Sequence, residues 1–419
     1  MYQAPRGTAD ILPEQQPYWN HVCSAVRRIA HRYGYERIDT PVFEDSGVFL
    51  RTVGEDTDIV QKETYSFKDR GGDELTLRPE KTAAVCRAYL EHGMRNLPQP
   101  VRLYYVAPMF RYDRPQAGRY RQFHQYGAEA IGDADPAVDA EMIQLALDMI
   151  RSIGLRRLTL VLNNIGDPAD RARYVAALKE HFRPHFAELG HDGQRRFERN
   201  ALRLLDSKEL AGKPFFEAAP KSTDFLGLEA KAHWDRLLGY LDNLGIAYRL
   251  DHRLVRGLDY YTRTVFEIFP EVEGAQSAAG GGGRYDGLME QLGGKPTPAI
   301  GFAAGIERAI LNLQREGVVQ LARPAGPIVV AYNGAAPKAR AMLLVSAVRS
   351  KGGRAVLAPE RSLKSQMRYA DSVRAPKVLI LGPQELERGI VTMRDMAAAA
   401  QVEVPIDEAP DRLAALEGP

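Results

Sequence analysis

The segment VRLYYVAPMFRYDRPQAGRYRQFHQYGAEA, residues 101–130, indicates how the larger part of this chain folds. Its first ten residues are mostly β-branched, aromatic or aliphatic, which predicts a strand over 101–110. The polar segment RYDRPQAGRY follows, and a second strand is predicted from Arg121 to about Ala130. Two strands joined by a charged loop predict a long antiparallel hairpin.

On both sides of this hairpin, the sequence predicts helices and short strands. Apolar residues at helical spacing predict an amphipathic helix over 14–33. Another helix is predicted to start near Pro79, because proline fits the first turn of a helix. The other predicted elements are a strand at 35–42, a helix at 135–154, strands at 158–164 and 264–269, a turn at the glycines 280–283, and a strand running into a helix at 299–313.

Changes of pattern along the chain predict two domains, one of which carries an insertion. Residues 166–243 are helical in pattern and rich in Arg, Lys and Glu, so we expect a helical insertion into a first domain that spans 1–322. The segment RPAGP at 323–327 is typical of a linker. Beyond it, strands alternate with helices, which predicts a small α/β domain over 328–419 with a largely parallel sheet.

The composition, with 45% hydrophobic and 26% charged residues, is typical of a folded globular protein. A net charge of +2 is too small to indicate a nucleic-acid partner for the whole chain, so such a partner must be inferred from local charge. Cys23 and Cys86 form no CxxC pair and are expected to be buried thiols in a reducing compartment. The sequence shows no signal peptide and no membrane-spanning apolar run, so we expect a cytoplasmic protein without a membrane partner.

Short motifs for phosphate or metal binding are absent from the sequence. It contains no GxxxxGK[ST], GxGxxG or HExxH, and we predict no metal site built from side chains. Arginines stand where predicted strands end, namely at Arg78, Arg111, Arg119, Arg256 and Arg308. One such arginine is usually a solvated surface residue. Five of them, four beside Gly, Pro or an aromatic residue, favour convergence on a polyanion, since a guanidinium binds phosphate oxygens bidentately.

Carboxylates and an amide accompany these arginines. Gln125, Gly127 and Glu129 share one face of the second hairpin strand, because side chains alternate along a strand. A buried glutamate is costly unless it is paired. Glu129 is therefore either part of a structural ion pair or in contact with a small cationic or amine-bearing substrate, and the nearby Gln125 and Glu80 favour the substrate.

The segment RLVRGLDYYTRTVFEIF, residues 253–269, places recognition side chains at the start of a predicted buried strand. Arg256 suits an anion, and Gly257 permits a close approach of the backbone. Adjacent tyrosines are more often core residues than site residues. Tyr260 and Tyr261 are expected to point to opposite faces of an extended segment, so that at most one contacts a given ligand.

Six blocks of sequence, in the same order and over nearly the whole chain, resemble the histidyl-tRNA synthetases, a family of class II aminoacyl-tRNA synthetases. The blocks are RGTADILP (6–13), TPVFED (40–45), FRYDRPQAGRYRQFHQYGAE (110–129), RGLDYYTRTVFE (256–267), GGGRYDGL (281–288) and GFAAGIER (301–308). The fourth and fifth resemble blocks characteristic of the histidine-specific enzymes. The resemblance implies an α+β fold, with an antiparallel sheet, flanking helices, a helical insertion and a C-terminal α/β anticodon-binding domain.

The resemblance also implies roles for individual residues. Arg256 and Arg111 would be catalytic. The residues implied in histidine binding are Glu80, Thr82, Arg111, Gln125, Glu129, Arg256, Tyr260 and Tyr261. Those implied in ATP binding are Arg111, Arg119 and Arg308. Among these, Glu129 and Tyr261 would contact the two imidazole nitrogens, and Arg256 would bind the substrate carboxylate and the α-phosphate.

The implied reaction is activation of histidine with ATP, with release of pyrophosphate, followed by transfer of histidine to tRNA(His). ATP would be a substrate with Mg²⁺ on its phosphates, and the protein would be a homodimer without a DNA partner. The alternative is a non-catalytic, synthetase-like regulatory subunit of ATP phosphoribosyltransferase. Such paralogues typically lack the anticodon domain and the RGLDYY block, both of which this chain keeps. A class II synthetase for another amino acid does not fit the two histidine-specific blocks.

One residue departs from the family pattern. The residue after the RPE glutamate is usually glycine, and here it is Lys81. Its ammonium would either crowd the pocket for the substrate α-amino group or point away from that pocket as part of a helix. We expect the second arrangement, and the placement of Thr82 depends on it.

A basic block in the C-terminal domain indicates an RNA partner. Residues 335–377 contain ten Lys or Arg and two acidic residues, a local balance of +8. Such a block is the electrostatic footprint expected for an RNA backbone. The alternative is a solvated helix face. With the resemblance to an anticodon-binding domain, the expected partner is tRNA(His).

Overall fold

The computed structural model describes residues 2–53, 63–114, 118–207, 209–271, 278–317 and 325–414. The chain forms two compact units, Met1–Leu321 and Ala322–Pro419. Of the predicted linker, residues 323 and 324 lie outside the described residues, and 325–327 form no regular element. None of the helices in the described ranges has both the length and the apolar composition that crossing a bilayer requires.

The larger unit contains both strands and helices. Its strands are β1 (Glu36–Arg37), β2 (Phe43–Asp45), β3 (Tyr65–Lys68), β4 (Glu74–Leu77), β5 (Val101–Phe110), β6 (Gln122–Ile131), β7 (Leu158–Asn164), β8 (Arg249–Leu250), β9 (Thr262–Pro270), β10 (Gly280–Arg284) and β11 (Ala299–Gly305). Its helices are α1 (Gln16–Arg32), α2 (Ser46–Val53), α3 (Thr82–Glu91), α4 (Pro136–Ser152), α5 (Pro168–Phe182), α6 (Gly190–Arg199), α7 (Pro214–Glu217), α8 (Leu228–Asn243), α9 (Leu288–Gln291) and α10 (Ile306–Glu316).

An eight-stranded sheet in the order β1-β5-β6-β11-β10-β9-β7-β8 organises the larger unit. The predicted hairpin is confirmed, since β5 and β6 pair antiparallel from Val101 opposite Ile131 to Phe110 opposite Gln122. From β5 to β7 in this order all neighbours are antiparallel, whereas the edge strands β1 and β8 pair parallel. A separate three-stranded sheet has the order β2-β4-β3. The expected α+β fold, an antiparallel sheet with flanking helices, is confirmed.

The two faces of the large sheet have different roles. Helices α1, α4, α8 and α10 cover one face and bury side chains such as Val26, Ile143, Leu237 and Leu313 in the main core. On the other face, α3 packs over aromatic residues of the strands and of the segment before β9. The predicted site residues Glu129 and those at the start of α3 belong to this second face, so the helical layer supports the site from behind.

The tetraglycine segment is a buried strand, not the predicted turn. Residues 280–283 make up most of β10, which lies between β9 and β11. A Cβ atom at Gly282 would lie 2.0 Å from the carbonyl oxygen of Gly301, and one at Gly283 would lie 2.5 Å from that of Thr264. Because only glycine tolerates such close neighbouring backbone, the glycines serve sheet packing and not chain reversal.

Arg284, at the end of β10, is anchored to the helical layer by a buried ion pair. Its Nε donates to Asp139 Oδ1 at 3.1 Å, and neither side chain is exposed to solvent. Asp139 also accepts a hydrogen bond from the hydroxyl of Thr264 at 2.7 Å. Removing one partner of a buried pair typically costs about 3–5 kcal/mol, so this contact holds β9, β10 and α4 together.

Near the N-terminus the strand predicted over 35–42 is shorter than expected. It is confined to the two residues of β1, and β2 begins only at Phe43. Pro41 lies between them and has no N–H to donate to a strand ladder, which explains the interruption. The amphipathic helix predicted over 14–33 is present as α1.

The insertion has a hydrophobic core of its own. Helices α5, α6 and α7 pack around Leu178, Phe182 and Phe216, with short 3₁₀ turns between them. Helix α8, by contrast, packs on α4 and buries Trp234 and Leu237 in the core of the large sheet. The separate core therefore comprises residues 174–219, and α8 belongs with the sheet.

The smaller unit is an α/β domain with a mixed sheet. Its strands are β12 (Ile328–Tyr332), β13 (Ala355–Leu357), β14 (Lys377–Leu381), β15 (Ile390–Asp395) and β16 (Gln401–Pro405), and its helices are α11 (Ala335–Ser350), α12 (Leu363–Ser372), α13 (Pro383–Glu387) and α14 (Ala409–Ala414). The sheet order is β13-β12-β14-β15-β16. The first three strands are parallel as predicted, but β15 and β16 are antiparallel, because only short connections precede them.

Candidate active site

The centre of the site is Glu129, a carboxylate that is completely buried in the large sheet. Its Oε1 accepts hydrogen bonds from the hydroxyls of Thr82 at 2.8 Å and Tyr105 at 3.3 Å, and its Oε2 accepts one from Tyr285 at 2.5 Å. Burial raises the pKa of Glu129 to about 8, although the three hydroxyl donors oppose this shift. The side chain is thus held in one position before any ligand binds.

Two glycines create the space that this carboxylate needs. A Cβ atom at Gly301, opposite Glu129 on β11, would lie 1.6 Å from its Oε2. A Cβ atom at Gly127 would lie 2.5 Å from the hydroxyl oxygen of Tyr105. Gln125, which is half-buried, precedes Gly127 and Glu129 on the same face of β6, as predicted from strand alternation.

The start of α3 brings Glu80 and Thr82 to Glu129. The Glu80 carboxylate accepts hydrogen bonds from the backbone N–H groups of Thr82 at 2.6 Å and Ala83 at 2.9 Å. It therefore caps the helix, which begins at Thr82 and not near Pro79 as predicted. Burial raises the pKa of Glu80, and these two N–H groups oppose the shift. The Thr82 hydroxyl then ties the helix to the sheet through Glu129.

Lys81 points away from this pocket. Its side chain is buried, with the ammonium nitrogen 5.5 Å from the ring centre of Tyr105. Burial and the charge of Arg78 together lower the pKa of Lys81 to about 8, whereas Asp39 opposes the shift. The charged groups with the largest effect on the pKa of Lys81 thus lie near β1 and β4 and not at Glu80. The arrangement agrees with the expectation that this lysine leaves the amino-group pocket open.

Arg256 lies beside the tyrosines at the start of β9. Its Nη1 donates to the carboxylate of Glu267, and its guanidinium carbon lies 5.8 Å from the ring centre of Tyr261. Burial opposes the charge on Arg256, but Tyr261 and Glu267 outweigh that effect and raise its pKa. A permanently charged guanidinium is therefore held at a fixed position next to the Glu129 cluster.

The expectation that Tyr260 and Tyr261 point to opposite faces is wrong. Their ring centres lie 4.7 Å apart, and the ring of Tyr260 also lies 5.7 Å from that of Tyr285. Tyr260 is in a turn that precedes β9, so the alternation of an extended strand does not apply to it. Both rings line the same aromatic wall beside Glu129.

Three of the predicted arginines form a second, cationic part of the site. Arg111 follows β5, donates from Nε to the carbonyl oxygen of Pro79 at 2.8 Å, and lies 5.4 Å from the ring centre of Phe123. Arg308, in the first turn of α10, donates to the carbonyl oxygen of Gly118 at 3.3 Å. Burial lowers the pKa of Arg308, and the charges of Arg119 and Arg111 lower it further. Positive charge thus accumulates here, as convergence on a polyanion predicts.

Arg119 and Arg78 differ in whether their guanidinium groups are available to bind a polyanion. The side chain of Arg119 is 48% exposed and pairs with Asp113 at 3.2 Å, so it can turn toward a ligand. The side chain of Arg78 is buried and donates to the carbonyl oxygens of Thr40, Pro41 and Pro108, each at 2.8 Å. The prediction that Arg78 joins the others at a polyanion is therefore wrong, because its donors bind backbone.

Three residues of the site are not predicted from the sequence. Tyr105 and Tyr285 donate to Glu129, and Glu267 accepts from Arg256. Tyr285 follows the glycines of a block that resembles the family pattern, which was a usable signal. Tyr105 and Glu267 resembled ordinary strand residues, and their roles depend on strand pairing that no local pattern contains.

The site therefore has two chemically different parts on one face of the sheet. One part is an aromatic pocket around a buried carboxylate, which suits a small molecule with N–H groups. The other is a cluster of buried or half-buried guanidinium groups, which suits phosphate oxygens. Among the described residues, no group of three or more His, Cys, Asp or Glu side chains is arranged to hold a metal ion.

Comparison with known proteins shows which family models and relatives this chain matches. Residues 7–309 match the model of the histidyl-tRNA synthetase family, and residues 328–416 match that of the anticodon binding domain. The histidine–tRNA ligase of Dehalococcoides mccartyi is 53% identical over 409 residues, which cover 97% of this chain and 98% of that protein. That of Desulforamulus reducens is 47% identical over 409 residues, which cover 96% and 97%.

Solved structures show the same relationship. A structure of apo S. aureus histidyl-tRNA synthetase, 38% identical, superposes with a TM-score of 0.82 over 99% of this chain and 100% of its own. An ATP phosphoribosyltransferase regulatory subunit/histidyl-tRNA synthetase from Bacillus halodurans C is only 22% identical, with a TM-score of 0.66 over 91% of this chain and 98% of its own, and shares the fold. With both domains matched and full-length relatives near 50% identity, this chain belongs to the histidyl-tRNA synthetase family.

Proposed function

We propose that this chain is a histidine–tRNA ligase, which activates L-histidine with ATP to histidyl-adenylate and transfers the histidyl group to the 3′-terminal ribose of tRNA(His). The observation that carries the proposal is the buried Glu129, with its three hydroxyl donors, beside the guanidinium groups of Arg256 and Arg111. An amino-acid activation site needs such a side-chain pocket next to a phosphate site. Full-length relatives near 50% identity are named histidine–tRNA ligases, which supports the same activity.

On the histidine side, each contact follows from donor and acceptor chemistry. Glu129 would accept an N–H from one imidazole nitrogen, and the hydroxyl of Tyr261 would bind the other. Glu80, Thr82 and Gln125 would hold the α-amino group. The carboxylate oxygens of Glu80 already accept helix N–H groups but keep further lone pairs, so they can also accept from an ammonium. Tyr260 would complete the aromatic wall.

On the ATP side, Arg111 and Arg308 would bind phosphate oxygens, and Arg119 would join them from the hairpin loop. The burial and mutual repulsion that lower the pKa of Arg308 destabilise its charged form, and a bound polyanion would offset this cost. Mg²⁺ would arrive with ATP, held by its phosphates as part of the substrate. The protein would then supply arginines where other nucleotide sites use a glycine-rich loop.

The adenylation step requires positioning and charge stabilisation. A carboxylate oxygen of histidine attacks the α-phosphorus, so that an O–P bond forms, the bond to the bridging oxygen breaks, and pyrophosphate leaves with that electron pair. No side chain has to accept a proton, because the attacking carboxylate is already ionised. Arg256 would stabilise the charge that develops on the α-phosphate oxygens. Glu267 and Tyr261 would hold the Arg256 guanidinium in place.

Amino-acid-dependent ATP–pyrophosphate exchange, with each amino acid tested separately and without tRNA, tests the proposed activity. We expect exchange with histidine only, because an acceptor and a hydroxyl select a ring with two polar atoms at the right spacing. Exchange with a different amino acid would contradict the proposed specificity. A folded protein that shows exchange with none of them would instead support the regulatory-subunit alternative.

Arg256→Ala should lower the kcat of histidine-dependent exchange by roughly 10²–10³-fold or more, because a preorganised charge at the α-phosphate is lost. The thermal unfolding midpoint should stay close to that of the parent protein. Arg249→Ala is the matched control, since Arg249 lies on β8 and its side chain is 62% exposed. A kcat near that of the control would show that Arg256 does not act in adenylation.

Glu129→Gln should raise the KM for histidine about 10- to 100-fold, as expected for loss of a charge-assisted hydrogen bond worth about 1.5–3 kcal/mol. The KM for ATP should change far less.

Because the pKa of Glu129 is raised to about 8, its carboxyl is mostly protonated at pH 7 and must lose the proton to accept an imidazole N–H. The KM for histidine should therefore rise as the pH falls from 9 to 7 in the parent protein but not in the variant. An equal rise in both KM values, or the same pH dependence in both proteins, would contradict the imidazole contact.

For tRNA, three of the six side chains of the basic block that have no ion pair in the described ranges lie on or just before one helix of the smaller unit, the other three being Arg349, Arg354 and Arg374. Four of the ten basic side chains of the block pair with carboxylates of the same unit, as Lys338 with Glu360, Arg340 with Asp407, Lys351 with Asp411 and Lys377 with Asp395. Arg361, Lys364 and Arg368 are exposed at helical spacing on and just before α12. Within the described ranges these three have no carboxylate partner. We expect this face of α12 to contact the RNA backbone.

The double variant Lys364→Glu/Arg368→Glu should raise the KM for tRNA(His) in aminoacylation by roughly tenfold or more, because phosphate contacts are lost. Exchange without tRNA should be unchanged. The matched control is Arg388→Glu/Arg412→Glu, which makes the same change in net charge at two side chains that already pair with Glu403 and Glu408. If the two double variants lose tRNA affinity equally, the effect is due to net charge and not to α12.

A homodimer is also proposed. Val42, Phe43, Leu50 and Phe67 are large apolar side chains that are each at least 40% exposed. They lie on or beside the three-stranded sheet β2-β4-β3, and the rings of Phe43 and Phe67 are 6.5 Å apart. An exposed apolar patch of this kind indicates a subunit interface, and it includes part of the TPVFED block.

A cytoplasmic location is proposed as well. Cys23 and Cys86 are both free, with Cys86 fully buried and Cys23 half-buried. Burial raises the pKa of each thiol, which keeps it protonated and unreactive. Unpaired cysteines of this kind are typical of proteins in a reducing compartment.

A further inference from the structure

We propose that Arg171, on α5 of the insertion, is a positioning residue for the adenylation step. It binds the backbone of Asp259 and Tyr261 and thereby orients Arg256 and Tyr261 toward the substrates. The inference rests on the proposed function and extends it, because it makes the insertion part of the machinery that acts before tRNA is involved.

The segment that carries Arg256 is held by side chains. β8 ends at Leu250 and β9 begins at Thr262, and between them several carbonyl oxygens accept from side chains of other elements. The amide of Asn163 donates to His252 at 3.2 Å and to Leu254 at 2.9 Å. The position of the segment therefore depends on the donors that reach it.

Two of these donors come from the insertion. Arg171 Nη1 donates to the carbonyl oxygen of Asp259 at 3.1 Å and to that of Tyr261 at 3.3 Å. Its Nη2 also lies 4.0 Å from the carboxylate of Asp259. Arg203, from the second half of the insertion, donates to the carbonyl oxygen of Gly257 at 3.5 Å. The insertion thus contacts the backbone before the two tyrosines and at Tyr261 itself.

Arg171 is itself held rigidly relative to the sheet. The turn between β7 and α5 is joined to β9, since Arg263 accepts from Ile165 and donates to Gly166 through the backbone. The guanidinium of Arg263 also binds both carboxylate oxygens of Asp167, at 2.7 and 2.9 Å. Because α5 starts directly after Asp167, the helix and its Arg171 side chain move with the strand that carries the site.

Arg171 and Arg256 line the same small cavity. This cavity has a volume of about 20 Å³ and is also lined by Arg203 and Tyr261. A space of that size holds about one water molecule. Loss of the Arg171 side chain would enlarge this space directly behind Arg256 and leave two carbonyl oxygens without their donor.

The consequence should be kinetic as well as structural. Arg256 and Tyr261 contact each other, and both lie within the segment that Arg171 binds. A displacement of about 1 Å in a catalytic group can cost about 10²-fold in rate. Arg111 and Arg308 lie on other elements, so the binding of the ATP phosphates should be affected little.

Arg173 offers a matched control on the same helix. Its Nη2 donates to the Asp170 carboxylate at 2.7 Å and to the carbonyl oxygen of Phe225 at 2.8 Å. It therefore makes the same kinds of contact as Arg171, but none of them to the segment with Arg256. Arg173→Ala should lower stability without changing the kinetics of adenylation.

The test is histidine-dependent ATP–pyrophosphate exchange without tRNA, measured for the parent protein, Arg171→Ala, Arg171→Lys and Arg173→Ala together with their thermal unfolding midpoints. We expect Arg171→Ala to lower kcat roughly 10- to 100-fold and to raise the KM for histidine several-fold, with the KM for ATP within about twofold. Arg171→Lys should recover part of kcat, because an ammonium can donate to the same carbonyl oxygens. Arg173→Ala should match the parent protein in all three constants.

Equal kinetic constants for Arg171→Ala and Arg173→Ala would overturn the proposal and leave Arg171 a purely structural residue. If Arg171→Ala does not fold, Arg171→Met decides, because it keeps the aliphatic stem but has no donor: parent-like kcat and KM would overturn the proposal, and a reduced kcat with an unchanged KM for ATP would support it. Failure of the proposed function is a distinct result, because the parent protein itself would then show no exchange with histidine.

Discussion

Glu129 is the constraint on which the site depends, because a carboxylate in the middle of a sheet must be hydrogen-bonded. Its donors come from three separate segments, as Thr82 begins α3, Tyr105 lies on β5 and Tyr285 follows β10. Each donor is positioned by another contact, such as the Glu80 cap on α3 or the space left by Gly127. One buried carboxyl group therefore sets the relative positions of a helix and several strands, and the pocket is formed before a ligand enters.

The two parts of the site are connected through the segment that precedes β9. Tyr261 faces the Glu129 pocket, Arg256 faces the cationic cluster, and their side chains contact each other. The proposed amino-acid pocket and the proposed phosphate site thus meet within the six residues from Arg256 to Tyr261. Contacts from the insertion to Asp259 and Tyr261 bring a third element to the same place. A displacement of any one of these three elements should also displace the other two, because they share one short stretch of backbone.

Side-chain pattern was sufficient to predict the β5–β6 hairpin and the clustering of Arg111 and Arg308. It could not predict the fate of Arg78, whose guanidinium binds carbonyl oxygens that only the tertiary structure brings to it. The donor Tyr285 lies 156 residues from Glu129, so no local spacing relates the two. The glycines 280–283 were predicted as a turn because glycine permits chain reversal as readily as close strand packing, and only the neighbouring backbone distinguishes the two uses.

The four glycines of β10 have a further consequence for how this strand aligns with its neighbours in the sheet. Along 280–283, β10 has no hydrophobic pattern that could distinguish one register from the next. A shift by a single residue would displace Tyr285 by about 3.4 Å and separate it from Glu129. The same shift would take Arg284 away from Asp139 and leave a guanidinium buried without its carboxylate. The ion pair at the end of β10 therefore favours the native register of this strand, because a shifted alignment would leave Arg284 buried without its carboxylate.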